Sequence, residues 1–234
     1  MPDKKQNQVK SKARVANHGE VFTAEREVNA MLDLVKQETE RIDSRFLEPA
    51  CGDGNFLAEI LRRKLAVVKN KYRRSPSDYE KYAVLAISSI YGVEILPDNI
   101  NNCCERLFEI WDKEYTANCK KDANDECRKA VRFILKRNIL CGDALTLKNA
   151  KDEPIIFSEW SLVTGSLMQR TDYRFDKMLE EKIIKPDIPP GTEQCDDATA
   201  QLSLDILDRK ANDDEETRVR DFPLIHYRRV QYAK

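Results

Sequence analysis

The sequence predicts a three-layer α/β sandwich built around a mostly parallel β-sheet. Short apolar runs typical of strands alternate with longer segments of helical periodicity between residues 24 and 160. Within this alternation a strand runs into a glycine-bearing turn that opens a helix, a connection expected in an open α/β sheet. The length of 234 residues and the hydrophobic fraction of 41% suffice for one large domain.

The predicted elements follow in order from the amino terminus. Residues 1–17 are polar and basic and predict a flexible tail, and apolar residues at helical spacing predict a helix over 24–42 with Thr23 as its N-cap. The core elements that follow are a strand over 45–49, a helix over 55–68, a helix over 77–89 capped by Ser77, a strand over 91–95, a helix from Pro97, a charged turn over 113–126, a helix over 127–136, and strands over 138–141 and 154–160.

Beyond Gly165 the periodicity weakens. The predicted elements there are helices over 173–184 and 199–209, a loop over 186–195 and a last strand over 222–232. Few strand patterns remain to complete the sheet, so we expect it to be incomplete or irregular. The predicted division of the chain is a basic tail (1–17), a helical segment (18–44), an α/β core (45–165) and an extension that completes the domain (166–234).

The charge of the chain restricts its partners. Charged residues make up 35% of the sequence, yet the formal net charge is −1, so there is no overall attraction for a polyanion. Binding of double-stranded DNA would therefore need a local basic patch or a partner protein. The candidate patch, for which a solvated charged face is the simple alternative, consists of Arg62, Arg63, Lys64, Lys69, Lys71, Arg73, Arg74, Arg228 and Arg229.

Cysteine and histidine usage bears on metal and redox chemistry. Seven cysteines are irregularly spaced without a C-x-x-C pair, and only two histidines are present. We therefore predict reduced thiols that serve as small core residues, and no metal site. The sequence contains no signal peptide and no apolar run near 18 residues, which predicts a cytoplasmic protein without a membrane partner.

The strongest motif is Glu48-Pro-Ala-Cys-Gly-Asp-Gly54. A strand that ends in a Gly-x-Gly turn and opens a helix lets the backbone approach a ligand closely and leaves N–H groups pointing at it. The third glycine of the dinucleotide fingerprint is missing. The motif thus predicts a ligand site at the end of the first core strand.

Two acidic residues follow later predicted strands. Glu94 can accept hydrogen bonds from both hydroxyls of a ribose, and Asp143 can accept one from an adenine amino group. The simple alternatives are an exposed glutamate at a strand end and an ordinary Gly-Asp turn. Their order after the glycine turn favours a nucleoside site.

Taken in this order, the motifs resemble the cofactor half of N6-adenine DNA methyltransferases, particularly the modification subunits of bacterial restriction-modification systems. The Phe-Thr-Pro segment of that family has a counterpart in Phe22-Thr23-Ala24, with alanine in place of proline. The resemblance covers about residues 14–160. It implies a Rossmann-like class I methyltransferase fold, S-adenosylmethionine as cofactor, and double-stranded DNA and restriction-modification subunits as partners.

The resemblance also implies roles for individual residues. Phe22 and Thr23 would flank the methionine end of the cofactor, and the glycine loop would hold its carboxylate side. Glu94 would bind the ribose and Asp143 the adenine. The cofactor-binding residues implied in this way are Phe22, Thr23, Glu48, Ala50, Cys51, Gly52, Gly54, Glu94, Ile95, Asp143 and Ala144.

The sequence departs from the family after the predicted fourth strand. The family carries Asn/Asp-Pro-Pro-Tyr/Phe there, which polarises the amino group of the target adenine and stacks on the flipped base. This chain has Ser158-Glu159-Trp160, a polar group, a carboxylate and an aromatic ring, which are the catalytic candidates. The alternative is a strand end without a catalytic role. We interpret the paired prolines of Asp187-Ile-Pro-Pro-Gly191 as a rigid loop, because they lie far past the strand and lack an aromatic neighbour.

Three functions follow from these motifs. The first is an S-adenosylmethionine-dependent adenine-N6 DNA methyltransferase of the restriction-modification type. The second is a cofactor-binding but catalytically silent subunit with a structural or regulatory role, which the missing proline motif favours. The third is a methyltransferase for small molecules or proteins, which the type of the Phe22-Thr23 segment disfavours.

Overall fold

A computed structural model describes residues 11–18, 23–178 and 217–233, which form a mixed α/β fold. Its helices include α1 (Lys12–His18), α2 (Glu25–Leu34), α3 (Lys36–Thr39), α4 (Asn55–Tyr72), α5 (Pro76–Ser88), α6 (Pro97–Cys119) and α7 (Asp125–Asn138), with 3-10 helices at Lys120–Asp122 and Tyr227–Tyr232. Its strands are β1 (Phe46–Glu48), β2 (Ile90–Glu94), β3 (Ile139–Cys141), β4 (Ile156–Thr164), β5 (Leu167–Arg174), β6 (Arg218–Asp221) and β7 (Ile225–His226).

Strands β1, β2 and β3 form a parallel sheet in that order, compatible with a Rossmann-like arrangement. Both crossovers advance in the same direction, and parallel crossovers are right-handed, so their helices cover the same face. Phe46 and Ile90 pack among these helices. Leu47, Tyr91 and Val93 point to the opposite face, so the sheet is buried on both sides.

A second, antiparallel sheet covers that opposite face. β4 and β5 form a hairpin that turns at Gly165 (φ +55°), and β6 and β7 pair with β5. The Phe157 ring packs edge-on against the Tyr91 ring at 5.5 Å between centroids and against the Phe175 ring at 5.1 Å. The described residues thus stack a helical layer, a parallel sheet and an antiparallel sheet, instead of helices on both faces.

This second sheet corrects the prediction that residues 154–160 form the fourth strand of the parallel sheet. A further parallel strand needs a long crossover, usually a helix, to return the chain to the starting edge. Residues 142–155 instead fold into turns held by the bridges Asp143–Lys148 and Lys148–Pro154. The chain therefore stays at the edge where β3 ends, and β4 runs back from there beside β5.

Several predicted helix boundaries also shift. The helix over 24–42 divides into α2 and α3 at Val35 (φ −113°). α5 is capped by Ser75 rather than Ser77, because Pro76 occupies its first position and Ser75 Oγ accepts from Asp78 N at 3.4 Å. α6 continues to Cys119 through the segment predicted to be a charged turn, because Tyr115 and Cys119 extend its buried face.

The ends of the chain differ from the prediction as well. Residues 12–18 form α1, although all but the last were expected in a flexible tail. Only Ile225–His226 of the last predicted strand is extended; Tyr227 and Val230 then turn toward α7 and are buried at helical spacing. The predicted helix over 199–209 and loop over 186–195 lie outside the described residues. So does the second half of the helix over 173–184, whose first two residues belong to β5 and whose next four, 175–178, are helical.

The long helices are amphipathic. α6, with 23 residues, buries Leu107, Trp111 and Tyr115 and carries charged side chains on its other side. Within the ranges that the structure describes, no helix is both long and apolar enough to cross a bilayer.

Candidate ligand site at the carboxyl edge of the parallel sheet

The loops after β1, β2 and β3 meet at one edge of the parallel sheet, which we call the carboxyl edge. The register pairs Glu48 with Gly92 and Glu94 with Cys141, so the three strand ends lie side by side with β2 in the middle. The structure therefore brings the glycine loop, Glu94 and the turn that begins at Asp143 to one place.

The glycine loop, residues 51–54, needs glycine at two positions. Gly52 and Gly54 have φ values of +53° and +86°, in the left-handed region that residues with a Cβ rarely adopt. A Cβ on Gly54 would also lie 2.6 Å from Cys103 Sγ. The loop is fixed to the sheet by a hydrogen bond from Cys51 N to Val93 O at 2.9 Å.

The loop leads directly into the amino end of α4. Gly54 is the N-cap of this helix, and no side chain among the described residues caps it. The N–H groups of a first helical turn have no partner inside the helix and carry partial positive charge. An anionic group of a ligand, such as a carboxylate, can be bound at this position.

Glu94 lies between the glycine loop and α6. One carboxylate oxygen accepts a hydrogen bond from Gly52 N at 2.9 Å and the other accepts from Leu96 N at 2.9 Å. The side chain is nearly buried, and the two bonds fix its orientation. Each carboxylate oxygen can accept more than one hydrogen bond, so Glu94 retains the capacity to receive two hydroxyl donors.

Asp143 begins the turn segment after β3 and lies beside a pocket of about 560 Å³. Its Oδ1 accepts from Leu145 N at 2.8 Å, which leaves Oδ2 available within the turn. Ile95, 55% exposed, lines the pocket from the β2 side. Ala144 is half-buried against the core under the second sheet. The size suits a heterocyclic ligand.

The pKa of Glu48, at the end of β1, is shifted by the surroundings of its side chain. Burial raises the pKa of its carboxyl group from 4.5 to about 7, although a hydrogen bond from the Ala50 backbone works in the opposite direction. Desolvation disfavours the charged carboxylate more than this one bond stabilises it. Glu48 can therefore change its charge near neutral pH, right beside the glycine loop.

Cys51 has a packing role within the glycine loop. Its thiol is buried, and a hydrogen bond with Cys103, followed by burial, raises the pKa of Cys51 far above its ordinary range. A thiol held protonated is a poor nucleophile. The Cys51 side chain therefore packs beneath the loop. Gly92 leaves room for it, because a Cβ on Gly92 would lie 2.9 Å from Cys51 Sγ.

The amino-terminal motif reaches the site through Thr23. Thr23 O accepts a hydrogen bond from Asn55 Nδ2, in the first turn of α4, at 3.3 Å. Phe22 lies outside the described residues, and so does the predicted loop at 187–191. Of the segment that resembles Phe-Thr-Pro, the structure thus describes Thr23, which contacts the start of α4, and Ala24, which is the N-cap of α2.

The catalytic candidates Ser158, Glu159 and Trp160 are not brought to this site. Ser158 is 1% exposed, and its Oγ donates to Asp172 Oδ1 at 2.6 Å. Arg170 Nε donates to the same Ser158 oxygen at 3.2 Å and to Asp172 at 2.8 Å. The hydroxyl group is therefore part of a buried polar network in the hairpin, which Arg137 of α7 joins by donating to Asp172 Oδ2 at 3.0 Å.

Glu159 and Trp160 lie at the opposite edge of the parallel sheet, which we call the amino edge. Glu159 forms an ion pair with Arg45, the residue before β1. Trp160 is 4% exposed, and its Nε1 donates to Oδ1 of Asn138, the residue before β3, at 2.9 Å. Because β4 runs antiparallel to the sheet, its later residues are carried away from the carboxyl edge, and this corrects the expectation that they form a catalytic group beside the cofactor.

The predicted basic patch is also partly internal. Lys64 is fully buried and donates to Ile42 O at 3.2 Å, and Arg228 bonds to the buried carboxylate of Glu80. Arg63 pairs with Glu59 within α4. The members that remain on the surface are Arg62, Lys69, Lys71, Arg73, Arg74 and Arg229.

One residue of the site was not predicted from the sequence. Arg106, in the middle of α6, contacts Asp53 of the glycine loop and Asn55 of α4. No local pattern points to it, because its partners are 53 and 51 residues away in the chain.

Comparisons with known proteins add no relative. No protein-family model, curated protein or solved structure matches the chain. Within the described ranges, no group of three or more His, Cys, Asp or Glu side chains is arranged to hold a metal ion. The candidate site is therefore defined by its own geometry: a glycine loop, an uncapped helix, a fixed carboxylate and a pocket along one edge of a parallel sheet.

Proposed function

We propose that this chain binds S-adenosylmethionine at the carboxyl edge and serves as the cofactor-binding core of a DNA methyltransferase of the adenine-N6 type. The observation that carries the proposal is the convergence of the glycine loop, Glu94 and Asp143 at adjacent strand ends. Ligands of open α/β sheets bind at this edge.

The residues present suit the three parts of this cofactor. The uncapped start of α4 offers N–H groups to the methionine carboxylate. Glu94 offers acceptors to the ribose hydroxyls, and Asp143 with Ile95 offers an acceptor and an apolar wall to the adenine. When bound, S-adenosylmethionine supplies an electrophilic methyl group, which an amino nitrogen takes up in a direct displacement that releases S-adenosylhomocysteine and a proton.

Calorimetric titration of the whole chain with S-adenosylmethionine tests the binding. We expect Glu94→Ala to weaken the affinity at least tenfold, because both ribose contacts and the hydrogen bonds to Gly52 N and Leu96 N are lost. Glu40→Ala is the matched control, since the Glu40 side chain is 53% exposed and forms an exposed ion pair with Lys36 in α3. The absence of a heat of binding when the wild-type protein is titrated with S-adenosylmethionine would contradict the proposal.

A transfer assay with methyl-labelled cofactor and mixed-sequence double-stranded DNA tests the reaction. The expected product is labelled N6-methyladenine in the digested DNA, and Asp143→Ala should abolish it.

A specific observation favours a second candidate function, a cofactor-binding subunit that does not transfer the methyl group by itself. That observation is the position of Ser158, Glu159 and Trp160 in the interior and at the amino edge. Tight cofactor binding without label in DNA would favour this second function.

A further inference from the structure

One guanidinium group joins three parts of the carboxyl edge. Arg106 Nη1 donates to Asn55 Oδ1 at 2.6 Å and lies 3.4 Å from Asp53 Oδ1 and 3.5 Å from Asp53 O. Asn55 uses its other amide atom, Nδ2, to donate to Thr23 O at 3.3 Å. A continuous chain of polar contacts therefore runs from α6 through the glycine loop and the start of α4 to the amino-terminal segment.

The geometry of this chain suits a role in positioning. Asp53 lies between Gly52 and Gly54, both with positive φ. The residue that contacts Arg106 is therefore flanked on both sides by glycine, the most permissive residue for the backbone. The Asn55 amide is oriented by the short charged hydrogen bond to its oxygen, which turns its nitrogen toward Thr23. Arg106 is about one quarter exposed, so solvent screens these contacts only in part.

We propose that Arg106 is a positioning residue, which holds the glycine loop and the Thr23 segment in register so that both contact the methionine end of the cofactor. This inference rests on the proposed function and extends it to a residue outside the recognised motifs. Arg106 acts through Asp53 and Asn55, and with Asn55 it lines a small pocket that is separate from the pocket beside Asp143. Its loss should therefore affect one end of the ligand and spare the other.

Calorimetry with three ligands separates this role from a general structural one. The ligands are S-adenosylmethionine, S-adenosylhomocysteine and 5′-methylthioadenosine, which keeps the nucleoside and lacks the amino-acid end. We expect Arg106→Met to weaken binding of the first two about tenfold, and binding of 5′-methylthioadenosine less than about twofold. Arg106→Lys should recover part of the loss, because one ammonium can still reach Asn55 Oδ1.

Two further variants keep the test decisive. Asn55→Ala should give the same pattern and should not add to Arg106→Met, because both break the same chain of contacts. If Arg106→Met does not fold, Arg106→Lys and Asn55→Ala carry the test alone. Arg132→Met is the matched control, since Arg132 of α7 forms an exposed ion pair with Glu105, the residue next to Arg106 in α6.

The outcomes distinguish this inference from the proposed function. If the wild-type chain binds none of the three ligands, both are rejected. If the wild-type chain binds all three and the Arg106 and Asn55 variants leave the affinities unchanged, or weaken all three equally, only the positioning role is rejected. Selective loss of affinity for the two ligands with an amino-acid end supports it.

Discussion

The two edges of the parallel sheet use their polar groups in opposite ways. At the carboxyl edge, Glu94 and Asp143 accept hydrogen bonds from loop N–H groups and still have acceptor capacity, and Asp143 also lines a pocket. At the amino edge, polar side chains are satisfied by other parts of the protein. Lys64 donates to Ile42 O, and Asn138 contacts both Ser88 O and the Trp160 indole.

The helix ends follow the same division. α4 and α6 begin at the carboxyl edge, and neither has a side-chain cap among the described residues. α5 and α7 begin at the far end of the molecule, where Ser75 and Asn124 accept hydrogen bonds from their first turns. The difference teaches that a cluster of polar residues alone does not indicate a ligand site, whereas unused hydrogen-bonding capacity does. Four predictions test this division.

The largest effect is expected from the buried network in the hairpin. Asp172→Ala would leave the Arg170 guanidinium, 5% exposed, without its carboxylate partner and would also remove the acceptor of Ser158. Breaking a buried ion pair from one side costs about 3–5 kcal/mol. Urea unfolding should show this loss in the free energy of unfolding, whereas Glu105→Gln, which breaks an exposed pair with Arg132, should change it by less than about 0.5 kcal/mol. A small loss in Asp172→Ala would mean that the amino edge is not as closed as the contacts indicate.

The next effect concerns the glycine loop. Gly54→Ala combines a positive φ of +86° with a Cβ 2.6 Å from Cys103 Sγ, so strain and overpacking add to roughly 2–5 kcal/mol. Gly165→Ala is the control, because Gly165 also has a positive φ (+55°) but open space where the Cβ would lie, and strain alone costs about 1–2 kcal/mol. Thermal unfolding of both variants gives the comparison. Equal losses would show that the approach of Cys103 does not constrain the loop.

The carboxyl edge could be predicted from the sequence because its signals are local. Glycines at fixed spacing and acidic residues after apolar runs are visible within short windows, and parallel strand ends necessarily share an edge. The direction of β4 could not be predicted, because an alternating pattern is the same for a parallel and an antiparallel strand. Ser158 and Trp160 resembled a site in the sequence, but their partners Asp172 and Asn138 are 14 and 22 residues away, and only the folded chain brings them together. Arg106 could not be predicted for the same reason, because its partners Asp53 and Asn55 are distant from it in the chain.

The third prediction uses the pKa of Glu48. Its carboxyl has a pKa of about 7 in the folded protein and 4.5 as its ordinary value, so between these values the folded state binds more protons than the unfolded state. The free energy of unfolding then falls by up to about 3 kcal/mol as pH rises through this window, and it is constant above the window. Urea unfolding from about pH 5 to about pH 8 should show this fall in wild type relative to Glu48→Gln. A constant difference between the two proteins would contradict the prediction.

The smallest effect concerns a helix cap at the far end of the molecule. Ser75→Ala removes the oxygen that accepts from Asp78 N and also bonds the Asp78 carboxylate at 2.8 Å, so we expect a loss of about 1 kcal/mol in the free energy of unfolding. Ser77→Ala changes a serine of the same helix that does not cap it and should cost less than half as much. A larger loss in Ser77→Ala would mean that Ser77 caps α5, as the sequence predicted. Because Ser75 lies far from the carboxyl edge, its loss should leave affinity for S-adenosylmethionine unchanged, so a matching change in affinity would mean that the two ends of the helical layer are coupled.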